Sequence, residues 1–556
     1  MKRALLAMIA AIMVLSSLAA CSGKNEGKSS DPASGEQKAK IDETGKYSDP
    51  VVISIGRSID ANYKFPGDES QEDNFFTRWL KDRYNIVFKH EWEASNGNDY
   101  NQKVNLSISS NDLPDAMVVN ESQLKQMIKA DQLADLSEVY QQYASDNLKS
   151  IYNSNPKFLE SVTFDGKMYA LPETTLPSAP MTWIRKDWLD KLGLQPPQNI
   201  QDLEKIAKAF VDNKMGGENT IGIIGTAQGG KLNADFLNST AHNFNFTTLF
   251  FANKAYPGFW VEGNDGKATY GSTLPETKQA LAMLREWYAN GILDKELALR
   301  KSTEEAIIAG KAGIYFGSWW TPYSIQDLIK NDPEANWRPY VAPLDAEGNF
   351  NSNEVSGSSY VVVRKGYEHA DAVIRYHNIR VDKDASYEEA IGNRSLTSQE
   401  TPLFTILENG DQIDYAVSSL EKYLAGEISL EDVNKKSYGF VYQMVEHAKN
   451  VKKEPMNNYD IQYWDKASDE FFIHVYAHLN GGSELVKANI KPFKSLVNSK
   501  TPTMESRWQN LQKLEEETFL KIITGKSSVD EFDSFVQRWN EQGGQQITEE
   551  VRKLLE

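Results

Sequence analysis

Apolar residues fall in two rhythms along this chain. Val51-Val52-Ile53-Ser54-Ile55, Ile86-Val87-Phe88 and Ala116-Met117-Val118-Val119 are short continuous runs of strand length. Between them the spacing changes to three and four residues. Phe75, Phe76, Trp79 and Leu80 share one side of a helix predicted over 72–84, and Val104 and Ile108 lie one turn apart in a second over 100–109. Asp112-Leu113-Pro114-Asp115 turns into the third strand. Strands alternating with helices predict a parallel α/β sheet with crossover connections, and in such sheets ligands sit at the carboxyl ends of strands.

A second α/β region begins around Trp183. Asn199 precedes a helix over 200–210 that carries Leu203, Ile206, Ala207 and Phe210 on one face. Residues 221–224 read as a strand. Trp260-Val261 and Ala268-Thr269-Tyr270 flank a polar turn containing Asp265-Gly266, which suits a hairpin. Leu281, Leu284, Trp287 and Tyr288 form the stripe of a further helix, and 358–363 is another strand. From Asp411 to Leu555 the pattern is mainly helical. No internal repeat of 20–50 residues is visible. A single core of this size is implausible for 556 residues, so two lobes are expected.

The amino terminus has a different character. Lys2 and Arg3 precede an apolar run, Ala4 to Leu15, too short for a comfortable permanent span. The run ends in Leu18-Ala19-Ala20-Cys21, which resembles the bacterial lipobox. Residues 1–20 therefore read as a lipoprotein signal peptide and Cys21 as the lipidation site. Cys21 is the sole cysteine, so no intramolecular disulfide is available. Residues 21–48 are polar and read as a flexible tether. The net charge of −18 argues against a nucleic-acid partner. No second apolar run is long enough to span a membrane.

Several ordered segments resemble the family 1 extracellular solute-binding proteins of ABC importers, especially the large lipoproteins similar to alginate-oligosaccharide-binding proteins. These segments are Leu113-Pro114-Asp115, Phe164-Asp165-Gly166-Lys167-Met168-Tyr169-Ala170-Leu171-Pro172, the stretch Trp183 to Leu194, Trp287-Tyr288-Ala289-Asn290-Gly291-Ile292-Leu293-Asp294, and Gly310-Lys311-Ala312-Gly313-Ile314 ahead of Trp319-Trp320. Phe532 to Leu555 is similar to the family's C-terminal helices. The resemblance implies an α/β, two-lobed periplasmic-binding-protein-like (type 2) fold with the ligand cleft between the lobes. One lobe is expected at 49–175 with a return at about 350–395, and the other at 176–349 with about 396–556. It also implies a substrate-binding lipoprotein, held to the membrane by its N-terminal lipid, that hands an extracellular oligosaccharide to ABC permease subunits. Many relatives carry a calcium loop after the helix that follows the Trp-Leu segment. Here Lys214 and Met215 fall where oxygen ligands belong, so neither a metal nor a cofactor is expected.

Sugars present flat C–H faces edged with hydroxyls, suiting aromatic rings beside carboxylates and guanidinium groups. The chain has 12 Trp and 25 Tyr, a generous supply for stacking. Trp319 and Trp320, after a glycine and before Pro322, are placed at a strand end and expected to line the cleft, against core packing as the alternative. Trp260, in an aromatic turn, and Trp183, at the start of the second lobe, are candidates on the same terms. Asp115 is a candidate acceptor for sugar hydroxyls or else a turn cap. Glu173 sits at the crossover. Arg57 and Tyr63 follow the first strand where relatives contact ligand, and an arginine there would matter most for an acidic sugar. Glu470, His474 and His478 recur every four residues without the internal Glu of a zinc-protease motif and read as a half-buried helix face. No nucleophile elbow or phosphate loop appears, which favours binding over the alternatives: a lipid-anchored polysaccharide-degrading enzyme, or a peptide or sensor binder on the same fold.

Overall fold

The computed structural model describes residues 40–555 apart from 61–62, 96–97, 175, 177, 226–231, 238–242, 301, 325, 354–358, 384, 392–395, 467–470 and 499. The expected signal peptide, Cys21, most of the expected tether and Glu470 lie outside the described residues. The chain forms two units, Met1–Asp49 and Pro50–Glu556. In the first, residues 40–49 close a turn in which an Asp42 carboxylate oxygen accepts the amides of Thr44 and Lys46. The second unit contains everything described below.

Its first sheet uses β1 (Val51–Ile59), β2 (Ile86–Ser95), β3 (Ala116–Val119), β4 (Ala170–Pro172) and a late strand, Tyr360–Val363, in the order β2-β1-β3-late strand-β4. A second sheet is built from β5 (Met181–Arg185), β6 (Ile221–Ile223), β7 (Ala312–Gly317) and β8 (Trp337–Tyr340), ordered β8-β5-β7-β6. The late strand is β9. Each predicted strand is found, and β3 matches its sequence run end to end.

The all-parallel expectation fails at one strand in each sheet. In the first, β1 pairs parallel with β2 and β3, but β9 is antiparallel to β3, Tyr360 facing Val119, and to β4, Tyr360 facing Pro172. In the second, β6 and β7 are parallel while β5 is antiparallel to both β7 and β8. The cause is the chain path. Residues 173–180 leave the carboxyl edge of the first sheet and enter the second at Met181, opposite Gly317. A strand entered from the edge where its neighbours end must run against them. The chain leaves the second sheet after Tyr340 and re-enters the first at Tyr360, opposite Val119, which imposes the same reversal on β9.

The helices follow from their apolar stripes and caps. Asn74 caps Phe75–Tyr84 through its side chain, and Asn199 caps Ile200–Asp212 by accepting the Asp202 amide. Leu203, Ile206, Ala207 and Phe210 are buried as the spacing predicts. Gly313 of β7 lets that helix approach, since a Cβ there would lie 2.3 Å from the Phe210 ring. The long helix Pro502–Ile523 drives Trp508, Leu511 and Phe519 into a core shared with Trp260 and Trp287. Helices Gln412–Ala425, Gly439–Val451 and Phe472–Ala477 form another cluster around Leu420, Met444 and Tyr476. A strand, Ile490–Phe493, interrupts the helical C-terminal half and pairs parallel with Phe350–Asn353. Its Phe493 ring stacks on Tyr256 at 4.3 Å.

His377, in the helix Ala370–Asp382, is fully buried, and its Nδ1–H donates to Val373 O at 2.8 Å. Burial, assisted by nearby Arg380, lowers its pKa to about 3. The unfolded chain takes up this proton near the ordinary value of 6.5 and the folded chain does not, so stability is lost as pH falls below that value. The loss assigned to His377 is about 1.5 kcal/mol between pH 6.5 and 5. Urea unfolding of wild type and His377→Gln across that range should show a shallower pH dependence in the variant; parallel curves would remove His377 as the source.

Candidate functional site

The carboxyl edge of the first sheet gathers the ends of β1, β3 and β4 and the start of β9. Beyond β1 lie Asp60 and Tyr63. Beyond β3, Asn120 caps the helix Glu121–Lys129 by accepting the Gln123 amide. Beyond β4 comes Glu173, whose amide donates to Ser359 O. At the matching edge of the second sheet, β7 ends in Gly317 and continues into Ser318, Trp319 and Trp320. The passage 173–180 joins the two edges, and Ser178 Oγ lies 3.1 Å from Ser318 Oγ. A further segment, 402–411, runs beside that passage. Thr174 N donates to Ile406 O at 2.9 Å, and Glu408 N donates to Thr174 Oγ1 at 2.6 Å. Asn498, from the loop after Phe493, donates its side-chain amide to the Glu121 carboxylate.

A family model for bacterial extracellular solute-binding proteins matches residues 80–383, more than half of the chain. The chain belongs to the bacterial extracellular solute-binding protein family. Among relatives, a fructooligosaccharide ABC transporter substrate-binding protein, FusA of Streptococcus pneumoniae, is 30% identical over 235 residues, 39% of this chain and 42% of FusA. Lipoprotein LipO of Bacillus subtilis is 22% identical over 471 residues, 82% of this chain and 84% of LipO. The polygalacturonan/rhamnogalacturonan-binding protein YtcQ of Bacillus subtilis is 25% identical over 234 residues, 40% of this chain and 43% of YtcQ. The matched part thus spans about two fifths of FusA and of YtcQ. Among solved structures, the alginate-binding protein AlgQ2 superposes with a TM-score of 0.54 at 16% identity, covering 92% of this chain and 99% of AlgQ2. A solute-binding protein of Bifidobacterium longum infantis, described as HMO-binding, gives 0.58 at 16% identity, covering 91% and 99%. The fold is the two-lobed α/β architecture of solute-binding proteins, with one sheet per lobe and the cleft between them.

Placed in that family fold, the candidate residues separate into three groups. Trp320 is half-buried at the carboxyl end of β7, on the cleft edge. Trp319 beside it is 5% exposed. Its ring meets Trp320 edge-on at 5.5 Å and lies 4.5 Å from His478. Glu173 and Tyr63 are also half-buried at the cleft edge. Glu173 Oε1 accepts the Ile406 amide at 3.3 Å, and the Tyr63 hydroxyl donates to Glu400.

Four expectations are corrected. Trp183 lies mid-strand in β5, fully buried, with its Nε1–H on Gly317 O at 3.2 Å and its ring 6.0 Å from Tyr315, so it is core. Trp260 is fully buried against Tyr270 and Trp539; the hairpin register turns it inward. Asp115 stands at the amino end of β3, opposite to the cleft edge. Its Oδ2 accepts the Ser54 amide and hydroxyl at 2.9 Å, and its Oδ1 pairs with Arg364 at 2.8 Å. Arg57 is 4% exposed and donates to the carbonyls of Thr401, Ser398 and Gln399 at 2.6–2.8 Å. It clamps the segment 398–401 to β1 and is too deeply buried to meet a ligand.

Two carboxylates at this edge escaped the sequence reading. Glu400 lies beneath Tyr63 and accepts the Thr397 amide at 2.8 Å and its hydroxyl at 2.5 Å. Burial pushes its pKa up, but hydrogen bonds from Thr397 and Tyr63 outweigh that and hold it below the usual glutamate value. The T-x-x-E spacing of Thr397 and Glu400 is the signal that could have found it. Glu408, half-buried in the crossing segment near Tyr323, has its pKa raised by burial. His478, on the helix below Trp319, is also pushed down by burial, to about 4, and its Nδ1–H donates to His474 O. In the loop 212–220, Glu218 holds the Lys214 ammonium at 2.8 Å, and among the described residues no three metal-ligating side chains converge.

If Trp260 is core and Trp320 is not, truncation separates them. Trp260→Ala should cost about 3–5 kcal/mol in urea unfolding, and Trp320→Ala much less. Equal losses would contradict the placement.

Proposed function

We propose that this protein is the substrate-binding subunit of an ABC importer and captures an extracellular oligosaccharide in the cleft. What supports this reading is membership of the solute-binding family together with a half-buried ring, Trp320, just past the carboxyl end of β7, and a half-buried carboxylate, Glu173, just past the carboxyl end of β4. The ring would stack on a sugar face while the carboxylates accept hydroxyl protons. Relatives support the ligand class: FusA by its name serves a fructooligosaccharide transporter, and YtcQ by its name binds polygalacturonan/rhamnogalacturonan. LipO, similar over most of the chain, is a lipoprotein, which supports lipid anchoring through Cys21 after removal of residues 1–20.

In this reading the first lobe spans about 50–172, and its return extends through 360–406 rather than ending near 395. The clamp of Arg57 on 398–401 favours the longer return. Ligand bridging both edges favours the closed form because it touches both lobes only there. Permease subunits then recognise the closed shape, and a separate chain supplies ATP hydrolysis.

Titration of intrinsic tryptophan fluorescence with oligosaccharides tests this. A saturable change with no product after long incubation is expected. Trp320→Ala should weaken binding about 3- to 10-fold, the worth of one stacked ring. Accumulating product, or a response to peptides alone, would overturn the reading.

A further inference from the structure

We infer that the ligand chain continues out of the cleft along a row of rings on the second lobe that ends at Phe440, so that long oligosaccharides bind more tightly than short ones; this rests on the oligosaccharide-binding reading. The row begins at Trp320, past the end of β7. Trp319 lies 5.5 Å from Trp320 and 6.0 Å from Tyr323, which sits in the turn Thr321–Ser324. Tyr323 lies 4.6 Å from His474, and His474 lies 5.2 Å from Phe440. These contacts lead in steps from the strand end to the first turn of the helix Gly439–Val451. Exposure rises along the same path. Trp319 is buried, Tyr323 and His474 are half-buried, and Phe440 is 39% exposed.

A single exposed apolar side chain is ordinary on a protein surface. Phe440 differs in being the outer end of a row that starts in the proposed site. It meets His474 nearly edge to face, at 87°, rather than lying flat on it, so that contact does not consume both of its faces. An open aromatic face suits the C–H side of a sugar unit. The backbone that carries Phe440 is also held in place. Asn409, in the crossing segment, donates to Ser437 O at 2.9 Å. The Tyr438 hydroxyl donates to Asp411 at 2.8 Å, and the Tyr438 ring stacks on Tyr415 at 3.9 Å. Residues 437–440 are thus fastened to the end of the crossing segment, beside the cleft, and little ordering is left for a ligand to impose.

Calorimetric titration of the full chain with a fructooligosaccharide, a maltooligosaccharide and an oligogalacturonate, each as trimer and as octamer, tests the inference. In the series that binds, the octamer should bind about 3- to 10-fold more tightly than the trimer, the worth of one added stacked ring. Phe440→Ala should abolish that gain and leave trimer affinity unchanged, while Phe440→Tyr, which keeps the ring, should retain it. Equal affinity for the two lengths overturns the inference and leaves the oligosaccharide reading standing. A gain that survives in Phe440→Ala, or that is lost as fully in Phe440→Tyr, also overturns it, because the ring would not be its source. A trimer weakened as much as the octamer in Phe440→Ala does the same, since the effect would then lie in the cleft. Silence towards every sugar overturns the oligosaccharide reading itself, and the inference with it.

Discussion

Thr174 sits where the chain leaves one sheet for the other, and both its amide and its hydroxyl are engaged by the neighbouring crossing. The amide donates to Ile406 O, and the hydroxyl oxygen accepts the Glu408 amide. Buried backbone groups must find partners, and a linker between two lobes lacks the ladder of a full sheet to supply them. Pairing two crossings satisfies part of that demand and ties the passages together sideways. It leaves the torsions along each passage free to absorb a change in angle between the lobes. The same crossing sets strand direction. Because 173–180 delivers the chain to the cleft edge of the second sheet, β5 must run against β7, and the return passage does the same to β9. The two reversed strands are thus one consequence of building a cleft from a chain that traverses it.

The parts of this architecture legible in the sequence were those fixed locally. β3 appears as the run Ala116–Val119, and the helix Ile200–Asp212 as the spacing of Leu203, Ile206, Ala207 and Phe210. The site was less legible, because what matters there is which way a side chain faces, and a one-residue change of register turns a strand over. Trp183 and Trp320 look alike as aromatic residues near predicted strands, yet one is mid-strand in the core and the other lies past a strand end. Asp115 was recognisable as a carboxylate before a strand. Its assignment failed because that end of the sheet faces away from the cleft, and its partner, Arg364, is 249 residues distant. Arg57 failed similarly: its carbonyl partners lie more than 340 residues further along the chain.

These two misplacements have a common physical basis. A charged group held in the interior without partners is costly, so partners are brought from wherever the fold can supply them. Arg57 receives three carbonyls and Asp115 receives Ser54 and Arg364. Each then fastens a distant segment to the first sheet: 398–401 in one case, the end of β9 in the other. A residue that looks functional by type can therefore be occupied with holding the return segments in place.

The tryptophan pair shows how a neighbouring element divides two adjacent identical residues between support and display. Trp319 packs onto a π-helical turn, His478–Gly482. A Cβ at Gly481 would lie 2.6 Å from Trp319 O and 2.7 Å from its Cα, so only a glycine lets the backbones approach this closely. His478 lies 4.5 Å from the Trp319 ring, and burial keeps it neutral across physiological pH. Trp319 is thereby fixed between a glycine below and an uncharged imidazole beside it, and Trp320 meets its ring edge-on. In the proposed role, a ring braced in this way would lose little rotamer freedom as a sugar stacks on it, so more of the contact energy would remain as affinity. The brace belongs wholly to the second lobe, whereas Glu121, Glu173 and Glu400 belong to the first sheet's edge. In the proposed role, neither half of the site is complete until the lobes approach, which is the condition for a ligand to favour the closed form over the open one.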